Sequence, residues 1–225
     1  MIESRKSRAR GSDEATLDSH FPQNPGIGRR ERRAAETRIK LFRCALQLFS
    51  ERGFPNVTVE DITEAADVGK GTFFNYFETK DHVLGVMAEI QLGKVGEAAS
   101  LAARGKQTIH AVLHRLALRL AEEQGRSPSL ARAMISSFLA SESVRAIIER
   151  KMTVGHKAIA ELVATGQARG EINPHLKKEK VATQLMQSVM GTILFWSLHG
   201  EPALETWIED SFQHFWRSIA LSGKK

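Results

Sequence analysis

The sequence predicts an all-α protein. Six prolines, a single tyrosine and few alternating runs of β-branched residues argue against a sheet protein. Apolar residues instead recur at three- and four-residue intervals over long stretches, which is typical of amphipathic helices. With 225 residues, 42% of them hydrophobic, the chain has enough apolar side chains for one large or two modest cores. We therefore expect a three-helix domain near the N-terminus and a larger helical domain after it.

Residues 1–28 lack apolar periodicity and are rich in Gly, Ser, Pro and Asp. Pro22, Pro25, Gly26 and Gly28 close this segment, so we expect a flexible basic arm rather than a folded element. The arm lacks an apolar core, so we expect no secretory signal. Its basic residues either aid solubility or contact an acidic partner, and the formal net charge of +6 favours such a partner.

A basic helix is predicted from Arg29 to Arg52. Its apolar stripe contains Leu41, Phe42, Ala45, Leu48 and Phe49, and Gly53 supplies a stop signal. From Arg29 to Arg43 the helix carries seven basic residues against two acidic ones. These are Arg29, Arg30, Arg32, Arg33, Arg38, Lys40 and Arg43, against Glu31 and Glu36. Most such runs are solvated faces, and phosphate contact is the alternative.

Residues 58–80 predict two short helices joined by a tight turn. Thr58 followed by Asp61 is an acidic variant of the capping box. Asp67 lies where the chain must turn and tolerates a left-handed conformation. The second helix, predicted from Lys70 to Tyr76, places Phe73 and Phe77 on an inward face. Small, polar and aromatic residues lie on its outward face, as a helix-turn-helix that enters a DNA groove requires.

The run ADVGKGTFFNYF at residues 66–77, with Lys80 after it, resembles the TetR family of bacterial transcription regulators. The family pattern is approximately AGVSxGT[LIF]Yx[YH]FxxK. Gly69 replaces the usual capping Ser, which weakens the helix start by a few tenths of a kcal/mol. Phe74 replaces the usual Tyr and so lacks a phenolic hydroxyl for phosphate. Asp67 replaces the usual Gly.

The resemblance implies double-stranded DNA as a partner, and we expect an arm, a DNA-binding domain and a regulatory domain at residues 1–28, 29–80 and 81–225. We expect backbone contacts from the basic residues and sequence reading from the second helix. The arm would lie in the minor groove or along phosphates. The predicted DNA-binding residues are Thr58, Lys70, Gly71, Thr72, Phe74, Asn75, Tyr76, Lys80, Arg29, Arg30 and Arg33.

Six further helices are predicted after residue 80, at about residues 81–103, 108–123, 129–139, 143–168, 175–199 and 203–221. Glycine and proline residues interrupt the helical pattern between them. The fourth of these helices could be split near Met152 or Gly155. No apolar stretch is long enough to predict a membrane span.

The last two helices are apolar over more of their surface than one core face requires. They belong either to the interior of a large monomeric core or to a contact between two subunits. The family resemblance implies a homodimer, which a two-fold DNA reader needs for two half-sites. The residues predicted at that interface are Leu185, Val189, Ile193, Trp196, Phe212, Phe215, Trp216 and Ile219.

The resemblance also implies a ligand-responsive regulator, most often a repressor that binds a palindromic operator and is released by a small-molecule effector. A largely apolar pocket with a few polar groups is plausible in the second domain. Its candidate residues are Met87, Ile90, Gln91, His114, Met134, Phe138, His156, Met186, Gln187, Met190 and Phe195. Each of them, taken singly, is more often an ordinary core residue.

The sequence contains no pattern that predicts catalysis or a cofactor. It has no phosphate-binding glycine loop and no nucleophile elbow. His110 and His114 share one helix face but lack a third ligand, so we predict no metal. The single Cys44 excludes an internal disulfide and fits a cytoplasmic protein. A helical enzyme acting on an anionic substrate and a protein-binding adaptor remain the alternatives.

Overall fold

The computed structural model describes residues 28–221. Within that range the chain forms nine α-helices and two short 3₁₀ helices. The α-helices are α1 Arg29–Arg52, α2 Val59–Ala65, α3 Lys70–Phe74, α4 Lys80–Ala103, α5 Ile109–Ala121, α6 Pro128–Ala140, α7 Glu142–Ala168, α8 Lys178–His199 and α9 Leu204–Ile219. The 3₁₀ helices are Phe54–Asn56 and Gln124–Arg126. The predicted all-α fold class is confirmed, and the interpretation of residues 1–27 as an arm lies outside the described residues.

Packing divides the chain into two compact units, residues 1–39 and 40–225. The described part of the first unit is the exposed beginning of α1. There Arg32 pairs with Glu36 one turn later, and the Thr37 hydroxyl donates to the carbonyl oxygen of Arg33. The second unit contains the helix-turn-helix segment and all later helices.

The local signals of the helix-turn-helix segment operate as the sequence predicts. The Thr58 hydroxyl accepts a hydrogen bond from the Asp61 backbone N–H, and the Asp61 carboxylate accepts one from the Thr58 backbone N–H. Asp67 has a φ of 50°, the left-handed conformation that the turn requires. The second helix ends at Phe74, two residues before its predicted end, and Asn75 is its C-cap.

The larger core lies among α4 to α9. Helix α7 packs against α4 and α8, while α9 packs against α5 and α8. Helix α7 is continuous from Glu142 to Ala168, so the predicted option of a split near Met152 or Gly155 is wrong. In the described part of the chain, no helix combines the length and the apolar character needed to cross a bilayer.

The predicted dimer interface consists almost entirely of core residues of a single chain. Seven of its eight side chains are buried against other helices of the same chain: Leu185, Val189, Ile193, Trp196, Phe212, Phe215 and Ile219. A side chain that is covered in this way has little surface left for a second subunit, and the assignment of these residues to a dimer interface stays a prediction. Trp216, the eighth, is partly buried against the same core. The stripe is the inner face of α8 and α9.

The opposite face of α8 exposes four large apolar side chains at helical spacing. They are Met190, Leu194, Phe195 and Leu198. Phe195 and Leu198 are 60% and 63% exposed. When a helix is apolar on both faces, its sequence does not indicate which face packs against the rest of the same chain.

Candidate nucleic-acid interface and effector cavity

Helix α3 presents a divided surface. Phe73 and Phe77 are buried and pack on each other with ring centroids 5.3 Å apart. Phe74 points the other way and is 54% exposed. Lys70, Gly71 and Asn75 are exposed, and Thr72 and Tyr76 are half-buried. The arrangement leaves the outward residues free to enter a groove while the aromatic pair holds the helix on its own domain.

The single cation of α3 is paired within the segment. The ammonium of Lys70 contacts the carboxylate of Glu60 on α2, and both side chains are more than half exposed. The hydrogen bond from Lys70 holds the pKa of Glu60 below its ordinary value. An exposed pair of this kind is weak and readily exchanged for a phosphate. Sequence reasoning missed Glu60, because no spacing rule pairs residues ten apart across a turn.

Lys80 has internal partners. Its ammonium donates hydrogen bonds to the carbonyl oxygens of Phe54 and Val57, at 2.9 and 2.7 Å, and lies 4.5 Å from the centroid of the Phe54 ring. Burial lowers the pKa of Lys80. These contacts fasten the start of α4 to the loop that precedes α2. The predicted contact with phosphate therefore competes with a structural role.

Thr58 is likewise occupied as the cap of α2. Its hydroxyl donates to a carboxylate oxygen of Asp61 at 2.5 Å, and Arg52 of α1 donates to the other oxygen at 3.1 Å. The hydrogen bonds from the Thr58 hydroxyl and backbone lower the pKa of Asp61. A DNA contact by Thr58 would therefore have to use atoms other than its hydroxyl and its backbone N–H, which are bonded to Asp61. Among the predicted backbone contacts, Arg29, Arg30 and Arg33 are exposed on α1.

A cavity of about 390 Å³ lies among α4, α5, α6, α7 and α8. Its wall is almost wholly apolar and includes five methionines. Six of the predicted pocket residues line it: Met87, Gln91, Met134, Phe138, Met186 and Met190. An adjoining outer pocket shares Phe138, Met152, Met186 and Met190 with the cavity and adds His156 and Gln187 from the predicted set.

Three predicted pocket residues line neither space. Ile90 is buried elsewhere in the core, and Phe195 is exposed on the outer face of α8. His114 pairs with Glu209 of α9, and its ring lies 6.1 Å from that of His110. In residues 28–221 no cluster of three or more His, Cys, Asp or Glu side chains could hold a metal.

Sequence reasoning missed the α7 wall of the cavity. Ile148, Met152, Gly155 and Ile159 recur there at three- and four-residue spacing. That spacing could have indicated an inward face, although it does not distinguish a cavity wall from a filled core. Lys151 also lines the cavity, and it is the one cationic residue among the described residues of the wall.

Comparison with known proteins identifies the helix-turn-helix domain. The family model described as bacterial regulatory proteins, tetR family, matches residues 41–87. The HTH-type transcriptional regulator TcmR of Streptomyces glaucescens is 44% identical over 62 residues, which are 28% of this chain and 26% of TcmR. Residues 41–87 therefore carry the DNA-binding domain of the tetR family of bacterial regulatory proteins. The matched region contains the helix-turn-helix segment and its capping box, and the chain aligns with only about a quarter of TcmR.

Similarity to transcriptional regulators extends beyond this domain into the larger helical core. The HTH-type transcriptional repressor DhaR of Mycobacterium sp. (strain GP1) is 27% identical over 159 residues, 70% of this chain and 80% of DhaR. The structure of Thermus thermophilus FadR, a TetR family transcriptional repressor in complex with lauroyl-CoA, superposes with a TM-score of 0.59 at 26% identity. That match covers 84% of this chain and 96% of FadR.

The family's pattern has physical consequences at two positions here. Gly69 is the N-cap of α3 and offers no side-chain oxygen to the first turn of that helix. Phe74 is exposed but carries no hydroxyl. The contacts that Ser and Tyr would make are absent at these two positions, so backbone amides and Thr72 carry more of the expected DNA contact.

Proposed function

We propose that this TetR-family chain is a repressor that binds a palindromic operator as a homodimer and is released by a small, largely apolar effector. The observation that carries the proposal is the course of α4. This helix begins at Lys80, which is bonded to the loop before α2, and continues along the cavity wall with Leu84, Met87 and Gln91. A shift of α4 on effector binding would therefore move the helix-turn-helix segment.

A second connection runs through α6. The Ser50 hydroxyl of α1 lies 3.2 Å from that of Ser127 and 3.0 Å from that of Ser129, at the start of α6. Further along, α6 supplies Ala131, Met134 and Phe138 to the cavity wall. An effector that displaces α6 would thereby act on α1 as well. Two linked elements that differ in position between states are what allosteric release requires.

The exposed apolar face of α8 supports the homodimer. Phe195 and Leu198, with Met190 and Leu194 beside them, form an uncharged strip, and large exposed apolar strips mark interfaces. Two copies related by a two-fold axis would place two α3 helices in successive major grooves, roughly 34 Å apart. The DNA partner also places the proposed site of action in the cytoplasm.

The cavity supports an apolar effector. Its wall offers aliphatic side chains and thioethers, and methionine adapts to irregular guests. Thermus thermophilus FadR was solved with lauroyl-CoA, so a long-chain acyl thioester is one effector to assay. The relatives are named as transcriptional regulators, which favours regulation over the enzyme and adaptor alternatives.

The test is selection of bound fragments from a genomic library with the purified full chain. We expect a palindromic sequence, whose binding falls when Lys70 or Tyr76 is changed to Ala while the fold is kept. Repeating the assay with lauroyl-CoA and with other apolar compounds then tests release. Unchanged operator affinity in both variants would show that α3 is not the reading helix. Sedimentation as a monomer at micromolar concentration would contradict the homodimer.

A further inference from the structure

A buried polar network borders the apolar cavity. The ammonium of Lys94 on α4 lies 2.7 and 2.6 Å from the two carboxylate oxygens of Glu123, and both side chains are buried. The same carboxylate accepts a hydrogen bond of 3.2 Å from the side-chain amide of Gln91, which lines the cavity. Burying a charged pair costs free energy unless its geometry is good. Here the buried pair holds a neighbouring side chain, Gln91, in one orientation.

What the network fixes is the orientation of the Gln91 amide. Its nitrogen donates to the carbonyl oxygen of Leu120 at 3.1 Å as well as to Glu123. Both partners are acceptors, so the nitrogen must lie on their side and the amide oxygen must lie on the other. The assignment of oxygen and nitrogen, which is ambiguous for many glutamines, is determined here by chemistry.

The amide oxygen of Gln91 is left without a partner. It is buried and accepts no hydrogen bond from any residue in the range 28–221. The side-chain oxygen of Gln124, which lines the same cavity, is buried and unpartnered within that range as well. Buried acceptors without donors are uncommon and cost stability. Two of them beside one apolar cavity indicate a missing donor.

We propose that the effector is an apolar molecule carrying a group with two donor hydrogens, such as NH2, which donates to the side-chain oxygens of Gln91 and Gln124. This inference rests on the proposed effector function and specifies the ligand class of the same cavity. Each donor hydrogen recovers the hydrogen bond that one oxygen lacks, so the group adds affinity that a hydrocarbon of equal size does not gain. A carboxylate at that position brings acceptor against acceptor and is excluded.

The proposal can be tested on the full chain without DNA. Isothermal titration calorimetry compares 2-naphthylamine, whose NH2 group has two donor hydrogens, with 2-fluoronaphthalene, which has nearly the same shape and no donor. The measured quantity is the ratio of the two dissociation constants. We expect the preference for 2-naphthylamine to fall about threefold to tenfold in Gln91→Met, and by a similar factor in Gln124→Met, because each variant removes one hydrogen bond.

Gln184→Met is the matched control. Gln184 is exposed on α8 and its side chain faces Ser218, away from the cavity wall, so the ratio should stay at the wild-type value. If Gln91→Met fails to fold because Glu123 loses a partner, Gln124→Met still gives the answer. Equal ratios in the wild type and both cavity variants, or no binding of 2-naphthylamine, would overturn the proposal.

Operator binding separates this proposal from the function on which it rests. The control variant Gln184→Met should bind the selected operator as the wild type does when no probe is present, because Gln184 lies outside both the helix-turn-helix segment and the cavity wall. If the wild-type chain bound no operator, the proposed repressor function would be contradicted, while the preference measured by calorimetry would still stand. A wild-type chain that binds the operator but shows no donor preference contradicts only the ligand class.

Discussion

The ammonium of Lys80 donates a hydrogen bond of 2.7 Å to the carbonyl oxygen of Val57. Val57 immediately precedes the cap of α2, and Lys80 is the first residue of α4. The bond therefore closes the helix-turn-helix segment into a loop whose two ends are held together. A residue that the family pattern suggests for phosphate thus has a visible role in shaping the domain that meets DNA.

Lys80→Met should lower the free energy of unfolding, and it should change the salt slope of DNA binding by less than about one unit. The change leaves two carbonyl oxygens without their donor, a loss of about 1–3 kcal/mol each at most, and thermal unfolding measures it. A pure phosphate contact would instead lower the salt slope by about one unit with little effect on stability. Lys180→Met, an exposed lysine of α8, is the control for loss of a positive charge. A full unit of slope lost at unchanged melting temperature would favour the phosphate role.

Glu60→Gln should strengthen DNA binding. The Glu60 carboxylate holds the ammonium of Lys70, the cation of the reading helix, and the variant releases it for phosphate. We expect a steeper salt dependence, by up to about one unit, when fluorescence anisotropy is measured over a range of salt concentrations. Glu64→Gln removes an exposed charge from the same helix and serves as the control for simple charge repulsion. Equal gains in the two variants would assign the effect to net charge rather than to the pair.

The cap formed by Asp61 should make stability depend on acidity. Hydrogen bonds from Thr58 lower the pKa of Asp61 in the folded chain below its ordinary value of 3.8. A carboxyl group with a lowered pKa stabilises the fold above the unfolded value, and this contribution is lost as the pH falls through the folded value. Asp61→Asn should therefore be less stable than the wild type at pH 7, and the difference should shrink below about pH 4. Urea unfolding at pH 7, 5 and 3 measures it, and a constant difference would contradict the assignment.

The buried pair of Lys94 and Glu123 should behave non-additively. Lys94→Met alone strands a buried carboxylate and should cost about 3–5 kcal/mol of unfolding free energy. Adding Glu123→Leu removes the stranded charge, so the double variant should recover a large part of that loss. Lys178→Met removes an exposed pair with Glu161 and should change stability little. Chemical denaturation of Lys94→Met, Glu123→Leu and the double variant gives the coupling free energy, and simple additivity would contradict a buried pair.

The accuracy of the sequence predictions follows the range of the interactions. The capping box of Thr58, the left-handed Asp67 and the inward Phe73 depend on neighbours within a few residues, and all were predicted. The partners of Lys70 and Lys80 were not, because each partner is brought near by a turn whose direction the sequence does not specify. The cavity residues that were predicted, such as Met87 and Gln91, lie on helices where a polar residue interrupts an apolar stretch. The wall residues of α7 carry no such signal.

For a physical reason, the sequence does not indicate which face of α8 would meet a second subunit. Helix α8 carries apolar side chains on both sides, and hydrophobic periodicity ranks neither side above the other. The inner stripe with Val189 and Ile193 meets α9 and the core, which leaves the strip with Phe195 and Leu198 for a partner. Only the packing of the other helices decides between the two.

Phe195→Glu should therefore weaken the dimer without unfolding the chain. The side chain is 60% exposed, so its replacement leaves no cavity in the core, while a charge in the middle of an apolar contact must be desolvated on association. We expect a shift toward monomer in analytical ultracentrifugation and weaker binding to a palindrome, with binding to a single half-site retained. His214→Glu, also exposed but on α9 and outside the strip, introduces the same group as a comparison. A variant that remains fully dimeric at wild-type concentration would show that the two chains meet elsewhere, and the operator spacing would then have to be set by another surface.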